Sequence, residues 1–544
     1  MAKPEDWQGA TTLRVIEEGM RRWPNRIAIE TDGETVTYAE LSGRVASMRA
    51  ILSKLGISQG DHVATLMGPG PTWCSVLFAT MSLGAVVVPL NLTWSPTEFA
   101  QAINLTDARY LVADSHFRGN NLQGFIFDAL PSLYDSTGDI LDLDETPTLH
   151  KIAMLPSERN VDDFQHPIAV LETNSSIVAP ATITPEDIAL LLLTSGSTSF
   201  PKPVMISHRA LTYSWSTWAR DLEVTEESVV LNYAPNYHIG GVSVMGSSLW
   251  RGARQLMVRW FDPEESMRLI ECERVTHLWG FDTHFAMMRD SVGYGQYDLS
   301  STTKTIAASN IGPEAVKAFL GMGFTHHGSV YASTEYTGRQ SYFPPSDTAD
   351  TDRMMRSNGR GTAGELRIVD PERHAVLPPY QSGEICVRGP AMFSGYYKLP
   401  DESAKCVDDD GFFHSGDRGY MDEDGYLHFQ GRYKEMIKSG GENVSMPEVE
   451  QFLLSRVNGI RNVAVCGVPD AKWGEAVTAA VVLNHGVDLS EADIKSACQG
   501  VLAPYKIPKT IVFLNDDEWL ITATGKTDRQ GLRAATLAKL ALTD

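Results

Sequence analysis

Ile188-Ala189-Leu190-Leu191-Leu192-Leu193 leads directly into Thr194-Ser195-Gly196-Ser197-Thr198-Ser199-Phe200-Pro201-Lys202. A short apolar run bounded by turn residues predicts a buried strand. The loop that follows leaves the strand end with backbone N–H groups, hydroxyls and one ammonium able to face a polyanion. That is the chemistry of a polyphosphate cradle. It is not a Walker-type loop, because no second glycine precedes Lys202 in the required register. A surface loop rich in serine and threonine has the same composition, so the surrounding chain has to decide between the two.

Working outward, helix and strand signals alternate. Thr37-Tyr38-Ala39-Glu40 is a capping box followed by Leu41, Val45, Met48, Leu52 and Leu55 at helical spacing, with a stop at Gly56. His62–Met67, Val86–Leu90 and Leu111–Ala113 read as strands, and Ser95-Pro96-Thr97-Glu98 opens another capped helix. Such alternation predicts parallel sheets covered by helices. Residues 115–185, rich in Asp, Ser, Thr, Asn and Pro, are expected to be exposed loops. Gly364–Val369 and Gly383–Val387 predict a smaller strand-rich subdomain. The segment Gly431 to Asn443, with its Gly440-Gly441 pair, is the natural boundary. Beyond it Ser445-Met446-Pro447-Glu448 caps a new helix and alternating runs predict a small second domain.

The chain has 544 residues, 43% of them hydrophobic, and a net charge of −22. That length admits several domains, and that charge argues against nucleic acid or an anionic membrane as the main partner. From Arg432 onward there are 13 basic and 14 acidic residues, so the negative excess lies upstream. A near-neutral C-terminal part can approach an anion that the rest repels, and a chance difference in surface composition would give the same split. The six cysteines are dispersed, with no C-x-x-C pair and no zinc-like histidine spacing. They predict free thiols in a reducing cytoplasm. No basic-then-apolar leader opens the chain, and the longest apolar run is too short to span a bilayer.

Several further segments bear on a nucleotide. In Tyr331-Ala332-Ser333-Thr334-Glu335 an aromatic can stack on a purine, a hydroxyl can reach phosphate and a carboxylate can hold Mg²⁺, although taken alone the same residues make an ordinary strand end. In His414-Ser415-Gly416-Asp417 a carboxylate after a tight turn can accept a ribose diol, although Ser-Gly-Asp is also a common turn. Arg432, Lys434 and Lys438 put positive charge at the boundary. Thr522-Ala523-Thr524-Gly525-Lys526 displays a lysine on a turn. Asn236-Tyr237-His238-Ile239-Gly240-Gly241 follows an apolar run, where a histidine is either pocket-lining or a satisfied core side chain. No Ser/His/Asp set and no H-E-x-x-H pattern is present.

The ordered set TSGSTSFPKPV, PNYHIGG, YASTE, HSGDRGYMDEDGY, GRYKEMIKSGGENV, GVPDAKWGE and TATGK resembles the adenylate-forming superfamily in its acyl-CoA synthetase branch, over Thr12 to Arg533. The resemblance implies an α/β fold. A large N-terminal domain (1–431) would hold two doubly wound subdomains and a small β-barrel-like one, and a small mobile α+β domain (432–544) would cap it. It implies a cytoplasmic AMP-forming ligase using ATP, Mg²⁺ and coenzyme A on a small carboxylic acid, and it admits a homodimer. By motif, Thr194, Ser195, Gly196, Ser197, Thr198 and Lys202 would hold the β- and γ-phosphates. Tyr331 would stack near adenine, Thr334 would touch phosphate and Glu335 would bind Mg²⁺. Asp417 would hold the ribose beside Arg432. Lys434 would be the hinge, and Lys526 would bridge carboxylate and nucleotide during adenylation. Lys438, Gly440, Gly441 and Glu442 would face the site in the thiol-transfer pose, and His238 would sit between the acyl pocket and the pantetheine tunnel. Phe200 and Pro203 stand where the family loop usually has glycines, Ser309-Asn310-Ile311 where it has Gly-Gly-Ala, and Ile521 where it has proline. An enzyme that loads a carrier protein, and a weakly active relative that binds a nucleotide or an acyl-AMP, are the alternatives. Tyr233, Tyr237, Trp279, Phe281 and Phe285 hint at an aromatic or medium-length acyl group, and ordinary core aromatics would look the same.

Overall fold

A computed structural model describes residues 7–31, 33–138, 140–155, 168–170, 177–194, 201–280, 282–307, 321–324, 327–347, 350–433, 436–439, 442–470, 473–499, 501–502, 504–522 and 526–541. The two capping boxes form as the sequence requires. Thr37 Oγ1 accepts from Glu40 N at 3.2 Å while Glu40 accepts from Thr37 N at 2.8 Å, and the helix Tyr38–Leu55 ends at Gly56 with φ 105°. Ser95 and Glu98 repeat the arrangement ahead of Pro96–Thr106. Each reciprocal cap satisfies orphan N–H groups and is worth about 1 kcal/mol.

Two seven-stranded sheets dominate the N-terminal part. One orders its strands Lys202–Ser207, Ile188–Thr194, Val86–Pro89, His62–Leu66, Tyr110–Asp114, Lys151–Leu155 and Ala169–Val170. All its pairings are parallel except the Ile188–Thr194/Lys202–Ser207 hairpin. The other orders His327–Ser329, Lys304–Ala307, His277–Gly280, Val229–Asn232, Arg254–Met257, Ile27–Thr31 and Glu34–Thr37, parallel except for its last pair. The helices Pro71–Ser82, His208–Asp221 and Ile239–Trp250 belong to the largest apolar cluster, which draws on both sheets. Pro71–Ser82 is buried at every residue except Thr72, as expected of a helix covered on all sides. Burial of each large side chain there, such as Phe78 or Trp215, contributes about 1.5–3 kcal/mol.

The expected exposed loops over 115–185 need correction. Leu122–Ala129 is a helix, capped by Asn121 Oδ1 accepting from Gly124 N at 3.0 Å. Lys151–Leu155 is an interior strand parallel to Tyr110–Asp114. The polar composition of the region masks two short apolar sets, Leu122/Ile126/Phe127 and Ile152/Ala153/Met154, which are buried. Parts of the expected loop region, 156–167 and 171–176, lie outside the described residues.

The small subdomain is a four-stranded antiparallel sheet of Glu365–Val369, Gly383–Arg388, Phe413–Met421 and Leu427–Arg432. The next strand, Met436–Ser439, belongs to a separate five-stranded sheet with Glu442–Ser445, Gly474–Leu483, Ile460–Asp470 and Thr510–Phe513. The helices Met446–Arg456 and Glu491–Cys498 pack on this sheet around their own apolar cluster. Among the described residues no helix is long and apolar enough to cross a membrane, and all six cysteines are free thiols.

Candidate active site

After Val229–Asn232 the chain visits a neighbour on one side, Arg254–Met257, and then one on the other, His277–Gly280. The loop leaving Val229–Asn232 therefore lies at a topological switch point, where open α/β sheets bind ligands beyond their carboxyl ends. That loop carries Asn236 and His238. Asn236 Nδ2 donates to Met67 O at 2.9 Å and ties it to the other sheet. His238 caps the helix Ile239–Trp250, its Nδ1 accepting from Gly240 N at 3.2 Å. Gly241 is obligatory here, since a Cβ would stand 2.3 Å from Pro235 O. With Nδ1 accepting, the neutral ring carries its proton on Nε2. Burial first, and then the Lys526 ammonium, lowers the His238 pKa to about 3. The imidazole is therefore uncharged at neutral pH. The charge of Lys526, in the C-terminal part, is thus felt at this loop.

Lys526 itself is exposed. Its turn is closed by Thr522 N donating to Lys526 O at 2.7 Å and by Lys526 N donating to Thr522 Oγ1 at 3.2 Å. Ile521, in the place of the family's proline, pairs with Thr527 across the base of that turn. Residues 523–525 lie outside the described set.

The ribose-type carboxylate is built more rigidly. Asp417 is 4% exposed. Tyr331 Oη donates to its Oδ2 at 2.6 Å and Arg432 Nε to its Oδ1 at 3.0 Å. Asp417 and Arg432 face each other across paired strands, so the register itself sets this contact. Burial, and then the Asp417 charge, hold the Tyr331 hydroxyl well above its ordinary pKa, so it stays a donor. The Tyr331 ring lies 5.9 Å from that of Phe429, inclined by 33°. Behind Asp417, Ser415 Oγ donates to Ile385 O at 2.6 Å, and Gly416 N donates to Glu384 Oε1 at 2.9 Å. His414 bridges two carboxylates, with Nδ1 2.7 Å from Glu384 and Nε2 3.2 Å from Asp408. Sequence spacing gave no sign that Cys386 and His414 are neighbours, yet Sγ and Nδ1 stand 3.5 Å apart across the sheet.

At the phosphate-type loop, Thr194 and Lys202 pair across the hairpin, and Thr194 Oγ1 donates to Lys202 O at 3.4 Å. Ser195, Gly196, Ser197, Thr198 and Phe200 lie outside the described residues. Pro203 lacks an N–H, but its carbonyl accepts from Tyr397 N at 2.8 Å, so the outer edge of that strand is covered. Lys202 Nζ is 2.9 Å from Glu402 and 4.9 Å from the Tyr396 ring centroid. Tyr396 Oη in turn donates to Glu335 Oε1 at 3.0 Å, and Phe393 N donates to Glu335 O at 2.8 Å. Thr334 is half-buried on the turn that Thr337 N closes by donating to Thr334 O at 2.9 Å. The half-buried Glu335 carboxylate, oriented by a phenol, is an oxygen donor of the kind Mg²⁺ takes. Tyr396 and Glu402 escaped the sequence reading; GYYKLPDES carries both.

Lys434, Gly440 and Gly441 lie outside the described residues, as do the side chains of Lys438 and Glu442. The region around 308–311 lies outside as well. Of the suspected acyl-pocket aromatics, Tyr233 and Phe285 flank Gly280, where a Cβ would meet Tyr233 Oη at 2.4 Å and Phe285 at 3.0 Å. Trp279 faces the other side, against Gly240. Phe281 is outside the described residues.

The AMP-binding enzyme family matches residues 16–397, and the AMP-binding enzyme C-terminal domain matches residues 448–526. A putative acyl-CoA synthetase of Bacillus subtilis, YngI, is 29% identical over 541 residues, covering 97% of each chain. An indoleacetate–CoA ligase of Aromatoleum aromaticum is 31% identical over 513 residues, covering 94% of this chain and 95% of that one. Among solved structures, ATP-bound MatB from Rhodopseudomonas palustris superposes with a TM-score of 0.81 at 25% identity, covering 97% of this chain and 99% of that one. The amide bond synthetase McbA from Marinactinospora thermotolerans shares the fold, with a TM-score of 0.82 at 24% identity and coverage of 96% and 99%.

Proposed function

This chain belongs to the AMP-binding enzyme family, the adenylate-forming enzymes, and from that premise we propose that it is a cytoplasmic AMP-forming acyl-CoA ligase acting on a small carboxylic acid. The observation that carries the reading is the Asp417 clasp, a buried carboxylate held between Tyr331 and Arg432, and the Lys526 charge is felt at His238 on the switch-point loop.

A carboxylate is a poor electrophile because its charge is delocalised. In the first step its oxygen attacks the α-phosphorus of ATP, the bond to the β-phosphate oxygen breaks, and pyrophosphate leaves. In the second, a thiol sulfur attacks the acyl carbon, the bond to the phosphate oxygen breaks, AMP leaves and the thiol proton is released. Both reactants of the first step are anions, so cationic groups must offset charge as it develops. Thr194 and Lys202 border the loop proposed for the β- and γ-phosphates, and Asp417 with Arg432 takes the ribose. Lys526 approaches from the near-neutral C-terminal part. Glu335 would hold Mg²⁺, which when bound neutralises phosphate charge. The neutral His238 offers its Nε2–H to the cleft without adding charge. We divide the chain into a nucleotide-binding part, 1–431, and a cap, 432–544, that turns about Lys434 to present Lys438, Gly440, Gly441 and Glu442 for thiol transfer.

The test is formation of AMP and thioester from ATP, a panel of carboxylates and coenzyme A. AMP together with acyl-CoA supports the reading. AMP only when a carrier protein or an amine replaces coenzyme A would replace the second step. ATP binding without turnover on a broad panel would overturn the enzyme assignment.

A further inference from the structure

The loop lysine is already engaged. Lys202 Nζ stands 2.9 Å from Glu402, and Glu402 has a second cation, Lys405, at 3.1 Å. Glu402 lies on the short helix Pro400–Lys405, about two hundred residues along the chain from its partner. The backbone at Lys202 is held on both sides: by strand pairing with Thr194 on one, and by Tyr397 N bonding to Pro203 O on the other. Only the lysine side chain is therefore left to adjust. Its side chain is 31% exposed and that of Glu402 42%, so both can be reached by solvent and by a ligand.

An ammonium is a single point charge with three donors. A carboxylate and a polyphosphate can both reach it only by coming close to each other. In a medium of intermediate dielectric, like charges at such range repel appreciably. Neither Tyr396 nor Glu335 relieves this, since the ring stacks on Lys202 from one side and the Tyr396 hydroxyl is committed to Glu335. Lys202, first, and then Lys405 pull the Glu402 carboxyl down to about 2, so Glu402 remains an anion throughout the range in which an enzyme works.

We propose that Glu402 is a positioning residue that competes with the β- and γ-phosphates of ATP for Lys202, and so sets nucleotide affinity at the phosphate loop. This rests on the proposal above that the loop receives ATP. Relative to a chain without the carboxylate, ATP binding is weakened, while AMP, which lacks the outer phosphates, is unaffected. The device lets pyrophosphate leave readily, because Lys202 has a waiting partner.

Calorimetric titration of the full chain with ATP and with AMP tests this. Glu402→Gln is expected to tighten ATP about two- to fivefold, the scale of an exposed ion pair, and to leave AMP unchanged. In a Lys202→Met background the same substitution is expected to give no gain. Unchanged or weaker ATP binding by Glu402→Gln overturns the inference. An equal gain with Lys202 absent does so too, since that is general repulsion and not competition. Wild-type protein that binds AMP but no ATP refutes the assignment of the loop to ATP itself, and the inference falls with it.

Discussion

The Asp417 clasp and the Lys526 turn solve opposite problems. Asp417 is buried, with one oxygen on a tyrosine and the other on an arginine whose strand register fixes it. Lys526 is exposed, on a turn held at its base by two backbone donors. One is a site assembled before any ligand arrives. The other is an exposed charge on a turn of the C-terminal part, which we propose is delivered to the reacting groups. Preorganised groups suit binding, because they need no rearrangement when the ligand comes. A deliverable cation suits a reaction with two steps of different charge demand, because it can be withdrawn between them.

The contrast is broken most sharply at Lys526. Lys526→Ala is expected to slow acyl-AMP formation about 10²–10³-fold, the scale of losing one donor at developing charge. Thioester formation from supplied acyl-AMP is expected to persist, as single-turnover kinetics of the two half-reactions would reveal. Equal loss in both would make Lys526 structural. At the clasp, Asp417→Asn is expected to raise KM for ATP about ten- to hundredfold, because two hydrogen bonds to a charged acceptor are weakened. Tyr331→Phe leaves the Arg432 contact in place and gives a smaller rise, about two- to tenfold. Initial rates against ATP concentration separate these from effects on kcat.

A separate prediction concerns stability. Burial lowers the pKa of His208, His277 and His284 to about 4 and, with Lys526, that of His238 to about 3. In the unfolded chain each titrates near 6.5. Below that pH the unfolded state binds more protons than the folded one, so stability is lost as pH falls. The contribution is complete above about pH 6.5 and disappears progressively toward about pH 4. Melting followed at stepped pH should show that decline, of the order of 1 kcal/mol or more per histidine. A midpoint flat across this window would mean that the four rings are solvated.

Local signals made the fold legible. The capping boxes at Thr37 and Ser95, the stop at Gly56 and the apolar run Ile188–Leu193 each act within a few residues, and each element formed where its signal lay. Leu122–Ala129 and Lys151–Leu155 were hidden because their apolar sets are short and sit in polar surroundings, so tertiary burial decided their state. The site was legible only in part for a related reason. Asp417, Arg432 and Tyr331 sit in recognisable motifs. Their hydrogen bonds, and the Glu402–Lys202–Tyr396–Glu335 chain, join positions tens to hundreds of residues apart, and no spacing rule reaches across such distances.

Titration of Lys526→Ala with AMP by calorimetry tests the division between a prebuilt clasp and a delivered cation most directly. The account predicts wild-type AMP affinity in a variant that no longer forms acyl-AMP. AMP affinity that falls in step with the lost adenylation rate would contradict it.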